Sequence, residues 1–202
     1  AKMLIKFMKT GYIPKDQRKK ILLLSDDIRT HSGVGTMSKE IVFGTIHKYD
    51  WFQVGAAIKH PEQGKLVDLS EQSRDWRPDV ENPYVKVLPY DGYGNQGLIR
   101  DIMHQEKPDA IVHFTDPRYW VWLYQMENEI RKKIPMIFYT IWDDVPYPMY
   151  NREFYRSDDM HLCISKQTKN ILKNVLKDHP KPDWAVQYLP HGIDENNFYP
   201  II

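Results

Sequence analysis

The chain has 202 residues, enough for one sizeable α/β domain with a buried core. Its 42% hydrophobic and 27% charged residues are typical of a soluble globular protein, which argues against a disordered chain or a membrane span. The net charge of +1 gives no global indication of nucleic-acid binding. The single cysteine, Cys163, cannot form an internal disulfide and lies in an apolar run, which predicts a core position. A reducing, cytoplasmic location fits this composition.

The first 20 residues are strongly basic. Their only acid is Asp16, and their basic residues are Lys2, Lys6, Lys9, Lys15, Arg18, Lys19 and Lys20. A long apolar stretch followed by a small-residue cleavage site is missing, so a signal peptide is not predicted. Residues 1–19 are predicted to be a basic N-terminal extension that packs on the domain or is solvated. The alternative is peripheral membrane contact through residues 1–20.

Short apolar runs recur along the chain and predict the strands of a sheet. Because the runs are brief and almost continuously apolar, both faces of each strand are expected to be buried, as in a parallel sheet. The runs cover residues 21–24, 52–58, 85–88, 110–114, 136–141, 160–164 and 186–189.

Helical patterns separate these runs. Ile99 and Ile102 share one helical face, Ile171 and Val175 share another, and Asp116 before a proline is a typical helix start. Strand–helix alternation predicts the fold class: an α/β, Rossmann-like, open, mostly parallel and doubly wound sheet flanked by helices, over residues 20–189. The segment 61–83 does not follow the pattern and is predicted to be an excursion or a small hairpin.

In an open α/β sheet, ligands bind beyond the carboxyl ends of the strands. The loop after the first strand contains Ser32-Gly33-Val34-Gly35 at a predicted helix start. Glycines allow close approach to the backbone, and free N–H groups at a helix start attract a phosphate or diphosphate. The same glycines are also explained by a tight turn, and both interpretations stay open.

Several other site types are excluded. The pattern Gly33-x-Gly35-x-x-Ser38 lacks the third glycine of a dinucleotide fingerprint, and the second strand ends in Lys59-His60 without a carboxylate. A Walker loop and a Gly-x-Ser-x-Gly elbow are both missing. The dispersed histidines do not predict a metal site. No metal and no resident cofactor is therefore expected.

The motifs in order resemble a known family. They are Ser32-Gly33-Val34-Gly35 before a helix, Thr115-Asp116-Pro117 and Trp142-Asp143 after strands, Cys163-Ile164-Ser165-Lys166 before a helix, and finally Pro190-His191-Gly192-Ile193-Asp194 with Phe198 and Pro200. This order is similar to the N-terminal half of the retaining GT-B glycosyltransferases of the family 4 type, also called glycosyl transferases group 1. The last motif is similar to that family's Pro-Asn-Gly-Val-Asp-x-x-x-Phe-x-Pro hinge. The resemblance extends from about Lys20 to Pro200.

The resemblance implies that this chain is the acceptor-side half of an enzyme whose C-terminal domain binds the nucleotide sugar. It implies that Ser32, Gly33, Val34 and Gly35 lie near the donor diphosphate. It also implies that residues 190–202, including Pro190, His191, Gly192 and Asp194, begin the interdomain hinge. The implied reaction transfers a sugar with retention to a hydroxyl of a glycan, a lipid or a small molecule. This half alone is expected to be inactive, and no nucleic-acid partner is expected.

Two positions depart from the family pattern. The family often has histidines after the fourth and fifth strands, where this chain has Thr115 and Trp142. The candidates for acceptor or sugar binding are the polar and aromatic residues that follow these strands: Thr115, Asp116, Arg118, Trp142, Asp143 and Asp144. A helix cap would by itself fully explain Asp116. His113 is predicted to be a hydrogen-bonded core histidine, and at least one of Trp120 and Trp122 is predicted to be core.

Two other functions remain open. One is a stand-alone carbohydrate- or nucleotide-binding module without catalysis. The other is a GT-B relative with different chemistry, such as a sugar epimerase or a phosphorylase.

Overall fold

The computed structural model describes residues 11–57, 59, 61–193 and 200. Within them, one eight-stranded sheet has the order β3-β4-β2-β1-β5-β6-β7-β8. The strands are β1 Lys19–Asp26, β2 Tyr49–Ala56, β3 Val67–Asp68, β4 Val85–Pro89, β5 Ala110–Phe114, β6 Met136–Thr140, β7 Met160–Cys163 and β8 Val186–Tyr188. Neighbouring strands are parallel except for β3 and β4, which are antiparallel. The prediction of an open, mostly parallel sheet is confirmed.

Helices connect the parallel strands. The α-helices are α1 Gly33–Gly44, α2 Ser70–Ser73, α3 Gln96–Gln105, α4 Val121–Gln125, α5 Glu127–Arg131, α6 Arg152–Ser157 and α7 Lys166–Val175. Four segments are 3-10 helices: Lys15–Gln17, Pro117–Trp120, Met149–Asn151 and Asp183–Ala185. None of the described helices is both long and apolar enough to cross a membrane.

Both faces of the sheet are covered, because successive side chains of a strand point to opposite sides. On β1, Ile21 and Leu23 pack on the side of α1, while Leu22 and Leu24 pack on the side of α3, α4 and α5. Helix α7 lies on this second side and packs against β6 and β7. Full burial of one such leucine stabilises the fold by about 1.5–3 kcal/mol. The doubly wound arrangement is therefore confirmed.

The predictions that Cys163 and at least one of Trp120 and Trp122 lie in the core are also confirmed. Cys163 is buried and has no disulfide partner among the described residues. Trp120 is fully buried, whereas Trp122 is half-buried and packs against the same cluster.

The described part of the N-terminal segment packs on the domain. Lys15 forms an ion pair with Asp50 at 2.5 Å, and Arg18 donates hydrogen bonds to the backbone oxygens of Ile13, Glu81 and Asn82. Strand β1 begins at Lys19, one residue before the predicted domain start. Residues 1–10 lie outside the described part of the chain.

The excursion over residues 61–83 contains β3 and α2. Val67 and Asp68 of β3 pair with Val87 and Lys86 of β4 in antiparallel orientation. The segment therefore adds a short strand at the edge of the sheet, which agrees with the prediction of an excursion or a small hairpin.

Candidate functional site

The loop after β1 is held by two carboxylates. Asp27 is buried and accepts hydrogen bonds from Nε and Nη2 of Arg29 at 3.0 and 2.8 Å. Ser32 donates its hydroxyl to Asp26 Oδ2 at 2.7 Å and accepts the backbone N–H of Gly35 at 2.9 Å. Ser32 is the N-cap of α1. One hydroxyl therefore fixes both the end of β1 and the start of the helix.

Gly33 and Gly35 differ in the space around them. A Cβ atom on Gly35 would lie 2.8 Å from the backbone oxygen of Asp27 and closer still to the hydroxyl of Thr30. A Cβ atom on Gly33 would have no heavy atom within 4 Å. Close packing of the loop thus explains Gly35, whereas the α-carbon of Gly33 is open to a ligand.

Thr115, the first residue after β5, belongs to a buried hydrogen-bond network. Thr115 accepts the indole N–H of Trp120 at 2.5 Å, and its hydroxyl lies 3.1 Å from Nε2 of His113. Nδ1 of His113 lies 2.9 Å from the hydroxyl of Tyr124. Burial lowers the pKa of His113 to about 3, so the imidazole is neutral near neutral pH. The prediction of a hydrogen-bonded core histidine is confirmed.

Asp116 caps the 3-10 helix Pro117–Trp120. Its carboxylate accepts the backbone N–H of Arg118 at 2.9 Å and also accepts from the guanidinium at 2.5 and 3.0 Å. Burial alone would raise the pKa of Asp116, but the hydrogen bonds and charge of Arg118 lower it below its ordinary value. The cap and the ion pair occupy this carboxylate within the protein.

Arg118 connects the loops after β5 and β6. Its Cζ atom lies 5.8 Å from the ring centroid of Trp142 and 5.5 Å from that of Tyr150. The two rings meet edge-on, with centroids 5.7 Å apart. Tyr150 and Tyr119 are exposed, each at 58%. The guanidinium and the rings of Trp142 and Tyr150 therefore form a partly exposed platform at this edge, which we call the Arg118 platform (Arg118, Trp142 and Tyr150).

A cavity of about 240 Å³ opens beside this platform, beyond the carboxyl ends of β5 and β6. Four of the six predicted acceptor or sugar residues line it, namely Thr115, Asp116, Trp142 and Asp143. Arg118 is outside the lining but forms an ion pair with Asp116, which is part of it. Asp144 is exposed and also outside the lining, and its carboxylate accepts the backbone N–H of Val145. Complete ligand pockets are commonly about 300–1,000 Å³. The cavity is thus smaller than a complete ligand pocket.

The deep part of the cavity contains residues that the sequence did not indicate: Phe138, Thr140, Asn151 and Tyr155. Burial raises the pKa of Tyr155, and the nearby Asn151 amide and Thr140 hydroxyl partly offset that rise. The Asn151 amide makes no hydrogen bond of normal geometry with the described residues. Thr140 ends β6, so the strand-end rule would have found it. Asn151 and Tyr155 follow a long loop and carry no such signal.

The loops after β1, β4 and β5 meet on the same edge of the sheet. Tyr93, which follows β4, stacks on Tyr119 with ring centroids 4.7 Å apart. Burial raises the pKa of Tyr93, and the negative charges of Asp26 and Asp116 raise it further. The start of α1 and the cavity therefore share one rim.

The predicted hinge residues lie beside α1. Pro190 and Gly192 line a groove of about 650 Å³ together with Thr36 and Met37 of that helix. The ring of His191 lies 5.5 Å from that of Tyr139, centroid to centroid. Asp194 lies outside the described residues. No group of three or more His, Cys, Asp or Glu side chains is arranged to hold a metal ion in the part of the chain that the structure describes.

No protein-family model matches the chain, and no curated protein matches it. A solved structure does match: an α-glucosyltransferase in complex with UDP and a 13-mer DNA containing a HMU base. The TM-score is 0.53 and the sequence identity is 13%. The match covers 88% of this chain and 43% of the neighbour, so this chain spans less than half the length of that enzyme. At this identity the likeness shows the fold, which is glycosyltransferase-like, and does not single out family 4.

Proposed function

We propose that this chain is the acceptor-side half of a glycosyltransferase that moves a sugar from a nucleotide-sugar donor to an acceptor hydroxyl, with retention as the family 4 resemblance implies. The observation that carries the proposal is the shared rim. It combines an open helix start at Gly33 with a small cavity lined by hydroxyl and aromatic side chains, on a fold similar to an α-glucosyltransferase.

The chemistry of the rim suits the two parts of such a reaction. The positive end of α1 and its first-turn N–H groups stabilise negative charge, which suits the leaving diphosphate of the donor. The lining of the cavity offers hydroxyl groups and the indole of Trp142, which suit a sugar ring with its hydroxyls and apolar face. Ser32, Gly33, Val34 and Gly35 are therefore proposed for the diphosphate, and the residues lining the cavity for the sugar or acceptor.

The Arg118 platform bears on the acceptor class. Exposed aromatic rings together with an arginine are typical of surfaces on which nucleic-acid bases stack. The solved neighbour binds DNA. DNA therefore joins glycans, lipids and small hydroxyl compounds as an acceptor to be tested, although the net charge alone predicted no nucleic-acid partner.

A non-catalytic carbohydrate- or nucleotide-binding module is the alternative function. The same cavity and helix start would serve it. The two functions differ in whether a nucleotide sugar is consumed.

The deciding experiment compares the 202-residue chain with a longer protein that contains it. Each is incubated with UDP-glucose and other nucleotide sugars, with glycan, small-molecule and HMU-containing DNA acceptors, and release of nucleoside diphosphate is measured. We expect release by the longer protein and none by the 202-residue chain. Release by the 202-residue chain would contradict its assignment as half an enzyme. Binding without release by the longer protein would favour the binding module.

Peripheral membrane contact through residues 1–20 is a separate proposal, and the described part of this segment weakens it. Lys15, Lys19 and Lys20 already form ion pairs with Asp50, Asp109 and Glu106 of the domain. Any attraction to anionic lipid would therefore depend mainly on Lys2, Lys6, Lys9 and Arg18, of which Arg18 donates to backbone oxygens. Co-sedimentation with anionic vesicles, with and without residues 1–10, tests this contact.

A further inference from the structure

A chain of buried hydrogen-bonding groups runs beneath the cavity. It begins at Asp158, which follows α6 and is 0% exposed, and it ends at Thr115 in the cavity lining. The carboxyl oxygen Oδ2 of Asp158 lies 3.5 Å from the hydroxyl of Tyr124, which lies 2.9 Å from Nδ1 of His113. Nε2 of His113 lies 3.1 Å from the hydroxyl of Thr115. We call these four residues the Asp158–Thr115 relay.

The protons of this relay must all point the same way. A neutral imidazole has one N–H donor and one acceptor nitrogen, and each hydroxyl has one proton to donate. The His113 ring is enclosed by Phe138, stacked at 4.9 Å, and by Trp120 at 5.3 Å, so it is neutral. If Asp158 accepts, the protons point from Thr115 towards Asp158. If Asp158 donates, they point from Asp158 towards Thr115.

The surroundings of Asp158 decide the direction. Its other carboxyl oxygen, Oδ1, is buried without a hydrogen bond among the described residues. The ammonium of Lys181 donates to the backbone oxygen of Asp158 rather than to the carboxyl, and Arg131 donates to Asp159 and Glu127. An ionised carboxylate is very costly in such a place. Burial raises the pKa of Asp158 well above its ordinary value, which agrees with a neutral acid. A proton on Oδ1 would be a buried donor without an acceptor, so the proton belongs on Oδ2, where it points to the hydroxyl of Tyr124.

The indole of Trp120 then determines what Thr115 does. Trp120 Nε1–H donates to the hydroxyl oxygen of Thr115 at 2.5 Å. If His113 Nε2–H donates to the same oxygen, both of its lone pairs are occupied. The Thr115 proton then has no acceptor within the relay and is free for the cavity.

We propose that Asp158 is a neutral acid that fixes the proton of His113 on Nε2, so that Thr115 presents its hydroxyl to the cavity as a hydrogen-bond donor. The cavity would therefore take an uncharged oxygen acceptor at this point, such as a hydroxyl or ring oxygen of a sugar. The identity of this ligand rests on the proposed function, whereas the direction of the relay does not. His113, Tyr124 and Asp158 are positioning residues.

The direction is tested by nitrogen NMR of the histidine side chains in the 202-residue chain, with His113→Gln used to assign the signal. His161 is an internal reference, because its Nε2 lies 2.9 Å from the carbonyl oxygen of Tyr155 and must carry the proton. We expect His113 to show the same pattern, with Nε2 protonated. We also expect a carboxylic-acid C=O infrared band at neutral pH that is lost in Asp158→Asn. A proton on Nδ1 of His113, or the absence of that band, would overturn the relay.

The ligand is tested with Thr115→Val and Thr115→Ser in the longer protein, by transfer from UDP-glucose. Valine removes the donor, and we expect a loss of about tenfold or more in kcat/KM, whereas serine keeps the donor and should restore most of the rate. Equal rates for valine and threonine would overturn the ligand assignment and leave the transferase proposal intact. If the longer protein transfers from none of the nucleotide sugars in the deciding experiment, the transferase proposal fails, and titration with methyl α-glucoside replaces the assay. If the Thr115→Val variant then binds methyl α-glucoside as tightly as the unchanged protein does, or if neither binds it, the ligand assignment is overturned.

Discussion

The two glycines at the start of α1 have different causes, although the sequence presents them as one motif. Gly35 packs against the turn made by Asp27 and Thr30, so a side chain there meets the backbone. Gly33 faces open space, so nothing within the described chain requires a glycine at that position. This contrast makes Gly33, rather than Gly35, the position at which a ligand is expected to explain the residue type.

Alanine substitution separates the two glycines. Gly35→Ala should lower the free energy of unfolding by about 1–3 kcal/mol, because the added methyl group overpacks a tight loop. Gly33→Ala should keep the stability or raise it by up to about 1 kcal/mol, because alanine favours the helix. Urea denaturation of both variants measures this difference.

Nucleotide-sugar turnover by the longer protein is the second measurement for the same two variants. If a diphosphate approaches the backbone at Gly33, Gly33→Ala reduces nucleotide-sugar turnover without loss of stability. Equal destabilisation by the two substitutions would contradict the packing argument.

At the scale of elements, three of the longer helices begin with a side-chain cap. Ser32, Asn95 and Ser165 each accept the backbone N–H three residues later, at the starts of α1, α3 and α7. Ser32 differs from Ser165 in its second hydrogen bond: the hydroxyl of Ser32 donates to Asp26 at the end of β1, whereas that of Ser165 pairs with Thr168 of its own helix. The cap of α1 therefore also holds the loop on the proposed diphosphate side of the rim.

Removing the caps of α1 and α7 should reveal this difference. Ser165→Ala is expected to cost about 1 kcal/mol of unfolding free energy, the ordinary value for an N-cap. Ser32→Ala should cost about 0.5–1.5 kcal/mol more, because it also loses the hydrogen bond that connects α1 to Asp26 of β1, whereas the second hydrogen bond of Ser165 stays within α7. Only Ser32→Ala is expected to reduce nucleotide-sugar turnover by the longer protein. A loss of turnover in Ser165→Ala of the same size would show that the effect is general destabilisation.

The elements also show how far the sequence predicts this molecule. Seven strands could be located because a strand buried on both faces carries its own apolar signal, whereas β3 has two residues and depends on pairing with β4. Thr115 and Trp142 could be found because they follow strands that lie side by side. Asn151, Tyr155 and Asp158 could not, because α6 and the residues around it reach the cavity only through tertiary packing.

At the scale of the whole molecule, three buried groups connect stability to pH. Burial lowers the pKa of His113 and of His161 to about 3, compared with about 6.5 in an unfolded chain. Each histidine therefore stabilises the fold fully above pH 6.5, and this contribution is lost as the pH falls towards 3. Asp158 acts in the opposite direction, because its raised pKa means that the folded protein keeps a proton that the unfolded chain releases above about pH 3.9.

Between about pH 6 and pH 5, the unfolded chain binds nearly two protons at these histidines that the folded protein does not, and the folded protein binds about one at Asp158. The net difference of nearly one proton predicts that the free energy of unfolding falls by about 1 kcal/mol for each unit of decrease in pH. Burial also lowers the pKa of His47 and of His191, which adds to the fall. Acids with lowered pKa values, such as Asp116, contribute little here because they are ionised in both states. Urea denaturation across this range measures the slope.

Two variants should change that slope in opposite directions. His161→Gln keeps a donor for the carbonyl oxygen of Tyr155 but removes a titrating group, so the slope should become shallower by about 1.4 kcal/mol per pH unit. Asp158→Asn removes the opposing group, so the slope should become steeper by about the same amount. If Asp158 were ionised in the folded protein, its replacement would leave the slope unchanged in this range, because the group would then be charged in both states. The pH dependence of the whole domain thus reports the protonation state on which the direction of the Asp158–Thr115 relay depends.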